Sequence, residues 1–390
     1  MAKLLSYNDS SIKSNTLAGI YIHIPFCRQA CYYCDFHFST SMGLKEQMVQ
    51  AIQQELQLRQ DYLRGQSVQT VYFGGGTPSL LSQQELMAIL QTVRQLFKVA
   101  EDAEITLEAN PDDLTPTKLQ ELRQAGINRL SIGLQSFHEP HLRLMNRAHI
   151  ATESLQSVKD AQAAGFDNIT VDLIYGIPAP DHSIWLQDLE KLFLLQVQHV
   201  SCYALTIESD TVFGRWSKKG TFIAPEDEFT AQQFEILLSL MKLHGFVQYE
   251  ISNFCQPGYE SKHNSNYWRG VHYLGIGPSA HSFNGPTRQH NVAHNKKYID
   301  ALQQGQLLFE LETLSPADQA NDYLLTSLRT NWGCDLAKLK QELGFDLATT
   351  HASYLQELQQ KGLAQINNNI LYLTDKGKLL ADQITLDLFL

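Results

Sequence analysis

The chain has 390 residues, of which 43% are hydrophobic and 18% charged, a length and balance that suit one large folded domain with a smaller companion. Its 41 Asp and Glu against 30 Lys and Arg give a formal net charge of −11, which excludes a general nucleic-acid binder, because phosphate backbones are held by clustered Lys and Arg. No apolar run approaches the roughly 20 residues that span a bilayer, and residues 1–15 lack the apolar stretch of a secretory signal. The expected location is the cytoplasm, with a membrane surface reached through a partner.

After a short extension, 1–18, β-rich runs alternate with helical patterns as far as residue 245. A strand is predicted at 20–24, followed by three cysteines within eight positions, Cys27, Cys31 and Cys34. The helix at 44–63 rests on Leu44, Met48, Ile52 and Leu56, which recur every four residues as one apolar stripe. A strand at 70–73 leads through Gly74–Thr77 to a helix at 83–97, opened by Ser82 and Glu85 in capping-box spacing. Next come a strand at 104–108 and a helix at 116–125, where Thr115 is the N-cap, Pro116 the first helical residue and Gly126 the terminator. The series continues with strands at 129–134, 168–174 and 199–205 and helices at 152–164, 182–195 and 228–244.

Six such units predict an α/β fold, a parallel sheet with helices outside it. An open doubly wound sheet and a partial (β/α)6 barrel share this pattern. The barrel is favoured because the polar residues gather at strand ends: the cysteines, Gly74–Thr77, Glu108–Asn110 and Gln135. Residues 246–314 are rich in aromatics, Asn, Gly and Pro and read as irregular, site-covering structure. In 315–390, helices at 317–328, 336–343 and 349–361, a hairpin at 363–373 and a helix capped at Thr374 make a small winged-helix-like domain. Its expected role is structural or partner-binding.

The cysteine triplet carries the most chemistry. Tight cysteine groups in a reducing compartment point to metal or redox work, whereas Cys202, Cys255 and Cys334 read as buried, inert thiols. Three thiolates can hold three irons of a 4Fe–4S cubane and leave the fourth open to a ligand with adjacent amino and carboxylate donors. The rival is zinc with His37 as fourth ligand, but no second cysteine pair completes it. Gly74–Gly76 is not followed by Gly-Lys-Ser/Thr, which argues against nucleotide hydrolysis. Taken singly, the glycine run could be a tight strand-to-helix turn, Glu108 a helix cap, and Asp172 the partner of a lysine.

Tyr21-Ile-His-Ile-Pro-Phe-Cys27 through Cys34 resembles the cluster loop of the radical-SAM superfamily, in the branch that contains oxygen-independent coproporphyrinogen III oxidase and the HemW haem chaperones. The resemblance extends in order through Gly74-Gly-Gly-Thr77-Pro78, Leu107-Glu108-Ala-Asn110-Pro111, Gly133-Leu-Gln135-Ser136-Phe137, Asn146-Arg147 and Asp172-Leu-Ile-Tyr-Gly-Ile-Pro178. It implies that Cys27, Cys31 and Cys34 ligate the cluster and that S-adenosylmethionine sits beside it. Tyr21 would border the adenine; Gly75, Gly76 and Thr77 would offer backbone groups to the methionine amino and carboxylate ends. Glu108 would accept from the ribose or amino group. Gln135, Arg147 and Asp172 would complete the pocket, with Arg147 facing the carboxylate, and Tyr33 would shield the cluster. A reduced cluster could cleave S-adenosylmethionine to a 5′-deoxyadenosyl radical.

Within the branch, two departures count against the decarboxylating oxidase. Phe36 stands where the oxidase carries a further cysteine, and only 26 residues precede Cys27. His263-Asn264-Ser-Asn-Tyr267-Trp268 resembles the signature of the HemW chaperones, implying that His263, Tyr267 and Trp268 take part in binding haem for delivery to membrane haem proteins. On chemistry alone a His-Asn pair is more often a turn or a cap, and Cys255, His272 and His281 are rival iron ligands. The expected function is haem trafficking, compatible with a dimer. The alternatives are oxidative decarboxylation of coproporphyrinogen III, and a cluster-dependent scaffold whose C-terminal domain recruits a partner.

Overall fold

The protein is described here by a computed structural model over residues 17–390; apart from its last two residues, the 1–18 extension lies outside the described part. Six strands and their helices follow the expected alternation: β1 (Leu17–Ile24), α1 (Lys45–Leu58), β2 (Ser67–Gly75), α2 (Gln83–Leu96), β3 (Val99–Ala109), α3 (Pro116–Ala125), β4 (Arg129–Gln135), α4 (Glu139–Leu144), α5 (Ala151–Ala163), β5 (Ile169–Tyr175), α6 (Ser183–Leu194), β6 (His199–Ala204), α7 (Val212–Lys218) and α8 (Asp227–Leu243). The capping box of Ser82 and Glu85 is formed, Thr115 caps α3, and Gly126 ends it in the left-handed conformation. Helices α4 and α7 escape sequence reading because six or seven residues make fewer than two turns, too short for a repeat to show. Helix α1 stops at Leu58 rather than 63. The next residue, Arg59, turns inward to pair with Glu55 at 2.8 Å and to donate to Asn291 at 3.0 Å.

The region 246–314, expected to be irregular, is instead built of short elements: β7 (Val247–Glu250), β8 (Asn253–Cys255), α9 (Lys262–Trp268), β9 (His272–Ile276), β10 (His281–Phe283), β11 (Thr287–Asn291), α10 (Asn295–Gln303) and β12 (Phe309–Thr313). Strands of three to five residues carry too little alternation to stand out from a turn-rich sequence. Together with β1–β6 they form one 12-stranded mixed sheet, ordered β12-β11-β10-β9-β1-β2-β3-β4-β5-β6-β8-β7. The run from β9 to β6 is parallel; β8 joins β6 and β10 joins β9 antiparallel. Its main core packs Ile20, Ile22, Phe73, Leu107, Ile132 and Val171 of the strands against Ile52, Leu86, Leu119 and Leu189 of the helices.

The C-terminal part has its own apolar core, including Leu324, Leu328, Leu339, Leu355, Leu371 and Ile384. Helices α11 (Pro316–Leu328), α12 (Leu336–Leu343), α13 (Leu347–Thr350) and α14 (Ala352–Gln360) pack on a small sheet of β13 (Cys334–Asp335), β15 (Ile370–Leu373) and β14 (Ala364–Asn367). Thr374 caps the short helix that follows. This unit is tied to the barrel by Ile251 N donating to Arg329 O at 2.9 Å and by Asn331 N donating to Tyr249 O at 3.0 Å. Among the described residues, no helix is long and apolar enough to cross a membrane.

Candidate cofactor site

The loop after β1 is pinned before it can present its cysteines. Cys27 N donates to Ser39 O at 3.0 Å and Ser39 N to Pro25 O at 2.9 Å, closing the loop on itself. Asn146, left-handed at φ 57, donates from Nδ2 to Ala30 O at 2.8 Å, while Gln29 Nε2 donates to Asn146 O at 2.9 Å. A small apolar cluster of Leu142, Met145, Phe213 and Phe222 backs the loop through Tyr32 and Tyr33.

Cys27, Cys31 and Cys34 line one cavity of about 500 Å³ at the C-terminal ends of the strands, and none is in a disulfide. Two of the sulfurs are approached by donors: Thr77 Oγ1 stands 3.4 Å from Cys27 Sγ, and Arg147 Nη1 3.3 Å from Cys31 Sγ. Asn110 joins the two arms, donating to Thr77 Oγ1 at 3.2 Å and accepting from Arg147 Nη2 at 2.7 Å. Burial pushes the Cys27 thiol up to about 11 and the Cys34 thiol up to about 12, so ligation by iron, which binds thiolates, must offset that penalty. Separated sulfurs facing one space, with donors behind them, fit a cubane cluster. The zinc alternative lacks its expected fourth ligand: His37 lines a different cavity, with Nε2 2.7 Å from Asn295 Oδ1.

The same cavity collects Tyr33, Gly75, Gly76, Thr77, Glu108, Gln135, Arg147 and Asp172. Gly75 is left-handed at φ 105, and a Cβ there would lie 2.5 Å from the His23 ring; one on Gly76 would lie 2.6 Å from Phe26 O. Only glycine fits either place. The N–H groups of this turn are already used, by Glu108 Oε2 at 3.1 Å, Ile24 O at 2.9 Å and Phe26 O at 2.7 Å. The turn's N–H groups are thus committed within the barrel, and Thr77 O in turn accepts from Leu80 N at 3.1 Å. Gln135 is left-handed at φ 67 where the β4–β5 register shifts, a strain of roughly 1–3 kcal/mol for a non-glycine residue. The residues after it hold it there: Ser136 Oγ and Phe137 N both donate to buried Asp188, at 2.5 and 2.9 Å.

Glu108 accepts from Tyr72 OH at 2.8 Å and is pushed up to about 7, chiefly by burial. Burial likewise lifts Asp172 to about 6, against hydrogen bonds from Ser201 and Ser131. Neither serves as a helix cap or lysine partner. Arg147 lies against Cys31 and Tyr33 OH, the latter at 3.3 Å; burial opposes its charge, but Tyr33 and Cys31 hold the guanidinium firmly protonated. Its Nη groups face the cysteine loop, Asn110 and Gly133 O, and its buried Nε has no partner.

Tyr21 is not among the residues lining this cavity. It stacks on Tyr72, ring centroids 6.1 Å apart, and lines a second cavity on the far side. The three haem candidates also part company. His263 is 2% exposed at the floor of the barrel, with Nδ1 2.8 Å from Thr70 Oγ1 and Nε2 2.9 Å from Tyr267 OH. Both ring nitrogens are thus occupied by protein partners, and neither is free for iron in this arrangement. Glu104, paired with Arg129 at 3.8 Å, accepts from Lys262 N and His263 N, both at 3.1 Å, and fixes α9 across the strand ends. Tyr267 lines the second cavity, and Trp268 lies under the Arg329 guanidinium at 5.7 Å. Sequence reading missed Tyr72, Asn110, Ser131, Ser201, Tyr203 and Asn264 on the main cavity; of these, Asn110 and Asn264 stood in quoted motifs.

A partial α/β barrel with three cysteines after its first strand and a glycine turn after its second defines a member of the radical-SAM superfamily. The superfamily's sequence pattern matches residues 21–189, and that of the HemN C-terminal domain matches 314–380. Within the superfamily, the chain belongs to the HemW family. A Bacillus subtilis protein named haem chaperone HemW is 36% identical over 373 residues, covering 94% of this chain and 98% of that one. Its Mycobacterium tuberculosis namesake is 34% identical over 371 residues, covering 94% and 93%. Among solved structures, coproporphyrinogen III oxidase from Escherichia coli, described as a radical SAM enzyme, superposes with a TM-score of 0.84 at 25% identity, covering 97% of this chain and 91% of that one.

Proposed function

We propose that this chain is a haem chaperone, which binds haem and hands it to haem-requiring proteins, membrane respiratory proteins being the expected recipients. It works in the cytoplasm and meets those recipients at the inner face of the membrane. The observation that carries the reading is the near full-length likeness to proteins named as haem chaperones.

The barrel holds a 4Fe–4S cluster on Cys27, Cys31 and Cys34, with S-adenosylmethionine beside it. When bound, the cluster supplies single electrons to that ligand. Two buried carboxylates, Glu108 and Asp172, suit a ligand that bears a sulfonium and an ammonium group, because each would be held ionised by the nearby positive charge. Backbone groups of Gly75, Gly76 and Thr77 meet the methionine end, and Gln135 meets a polar edge of the ligand. Arg147 steadies the thiolate of Cys31, and Tyr33 closes the cavity over the loop.

The likeness to coproporphyrinogen III oxidase favours a second reading, porphyrinogen decarboxylation. Phe36 weighs against it: this side chain, 65% exposed at the cavity edge, has no thiol to offer. Anaerobically reconstituted protein should bind haemin saturably and pass it to an apo-haem protein, without converting coproporphyrinogen III. Absence of saturable haemin binding, or appearance of decarboxylated porphyrinogen, would overturn the reading.

A further inference from the structure

Behind the cluster loop lies a second cavity, of about 400 Å³, lined by Tyr21, His23, Asp35, Phe36, His37, Tyr267, Tyr273, Ser279 and His281. That volume is within the roughly 300–1,000 Å³ of organic-ligand sites. Its walls are unusual in composition. Tyr21, Phe36, Tyr267 and Tyr273 present aromatic surfaces, and three imidazoles share the space. Asp35 and Phe36 line both cavities, so the last turn of the cluster loop is the partition between them.

The three imidazoles differ in what their nitrogens already do. His23 is committed twice, its Nδ1 3.2 Å from Tyr21 OH and its Nε2 2.8 Å from His37 O. His37 is committed once, to Asn295. His281 is an exposed residue of β10 whose ring stacks on His290 at 4.4 Å and makes no hydrogen bond through either nitrogen. Burial and the neighbouring charges of His290 and Arg288 hold its pKa below the ordinary value, which keeps the imidazole neutral.

We infer that this cavity is the seat of the haem cargo, with His281 as the iron ligand and the rings of Tyr21, Phe36, Tyr267 and Tyr273 packed against the macrocycle. The assignment rests on the haem-chaperone reading and deepens it by moving the iron away from His263. A planar tetrapyrrole needs apolar faces and one neutral imidazole nitrogen, and this is the place where the described residues supply both. Haem is larger than the space, so one edge stands out past Phe36. That exposure, with a ligand at the start of a strand of only three residues, suits a cargo that must leave. His263 then acts behind the site as a positioning residue: its Nε2 holds Tyr267 OH at 2.9 Å and so orients that wall.

The test titrates haemin into anaerobically reconstituted full-length protein and follows the Soret band and the haem spin state. His281→Ala, an exposed change, should fold normally, lose the Soret shift and weaken binding at least tenfold. His281→Met should bind with an altered axial-ligand spectrum. If wild type binds and His281→Ala matches it in affinity and spectrum, the seat lies elsewhere and this assignment falls while the chaperone reading stands. If wild type does not bind haemin saturably, the chaperone reading itself falls.

Discussion

His263 Nδ1 lies 2.8 Å from Thr70 Oγ1 in a buried bond between α9 and β2. Gly19 of β1 is close against the same ring, a Cβ there lying 3.4 Å from it. The signature histidine thus bolts a short helix across the N-terminal ends of the barrel strands, where side chains serve stability more than chemistry. His263→Ala should cost roughly 2–4 kcal/mol, since it strands Tyr267 OH and Thr70 Oγ1 and opens a cavity. Thr70→Val should cost about 1–3 kcal/mol by leaving the ring nitrogen unpaired. Measured by urea unfolding, the double variant should cost less than the sum of the two. Simple additivity would show that the bond is not what holds the floor.

The cysteines separate by position. Replacing Cys27, Cys31 or Cys34 by Ala should abolish bound iron and the visible absorption of reconstituted protein. Replacing Cys202, Cys255 or Cys334, all buried far from the loop in sequence, should leave the iron content unchanged. Arg147→Gln removes a guanidinium 3.3 Å from Cys31 Sγ, and should move the cluster's midpoint potential to more negative values. A cation beside the sulfurs favours the more reduced, more negative cluster. A redox titration giving an unchanged or more positive potential would place Arg147 outside the cluster's field.

What was legible in the sequence follows from the length of each signal. Strands β1–β6 and their long helices could be read because each element carried at least six patterned residues between turn residues. The triplet of cysteines and the strand-end residues Gly75, Glu108 and Gln135 could be placed on one cavity because a parallel barrel brings strand ends together wherever they fall in the chain, and Asp172 of mid-β5 reaches the same cavity. Strands β7–β12 could not be read, being short and stabilised by neighbours remote in sequence. Nor could the destination of His263. Its pairing with Thr70 spans 193 positions, and no local pattern distinguishes a histidine facing a cavity from one facing a floor. The same holds for Arg147, whose motif was visible but whose orientation towards Cys31 is set by Asn110 and Gly133 O, at 2.7 and 2.8 Å.

Glu108 sets a pH dependence. Burial raises its carboxyl from 4.5 to about 7, so the folded state binds a proton that the unfolded chain releases earlier. Its contribution is present in full below the unfolded value and is lost as pH rises through about 7, a difference of roughly 3 kcal/mol. Ligand-free protein should therefore melt at lower temperature at pH 8 than at pH 6, and Glu108→Gln should flatten that slope. The residual slope of Asp172, lifted to about 6, should persist at lower pH. S-adenosylmethionine reverses the preference, because its positive groups favour the carboxylate. Calorimetry near pH 6 should record proton release on binding, with affinity rising up to about tenfold per pH unit towards pH 7. Binding without proton release would remove Glu108 from the ligand site.

Two left-handed glycines allow backbone strain to be separated from crowding. Gly65 has φ 74 and nothing within 4 Å of the position a Cβ would take; Gly75 has φ 105 and the His23 ring 2.5–2.8 Å away. Gly65→Ala should cost only the left-handed penalty of about 1–2 kcal/mol. Gly75→Ala adds the displacement of His23, which is 4% exposed and cannot swing aside without breaking its bonds to Tyr21 OH and His37 O. An additional roughly 1–3 kcal/mol is expected. The functional contrast is sharper, because His23 forms part of the wall of the second cavity and Gly75 part of the first. Gly75→Ala should weaken both S-adenosylmethionine and haemin, whereas Gly65→Ala should affect neither. Equal stability losses in the two variants, with S-adenosylmethionine affinity retained in Gly75→Ala, would mean that the glycine turn is only a strand end and that the His23 ring yields to the added methyl.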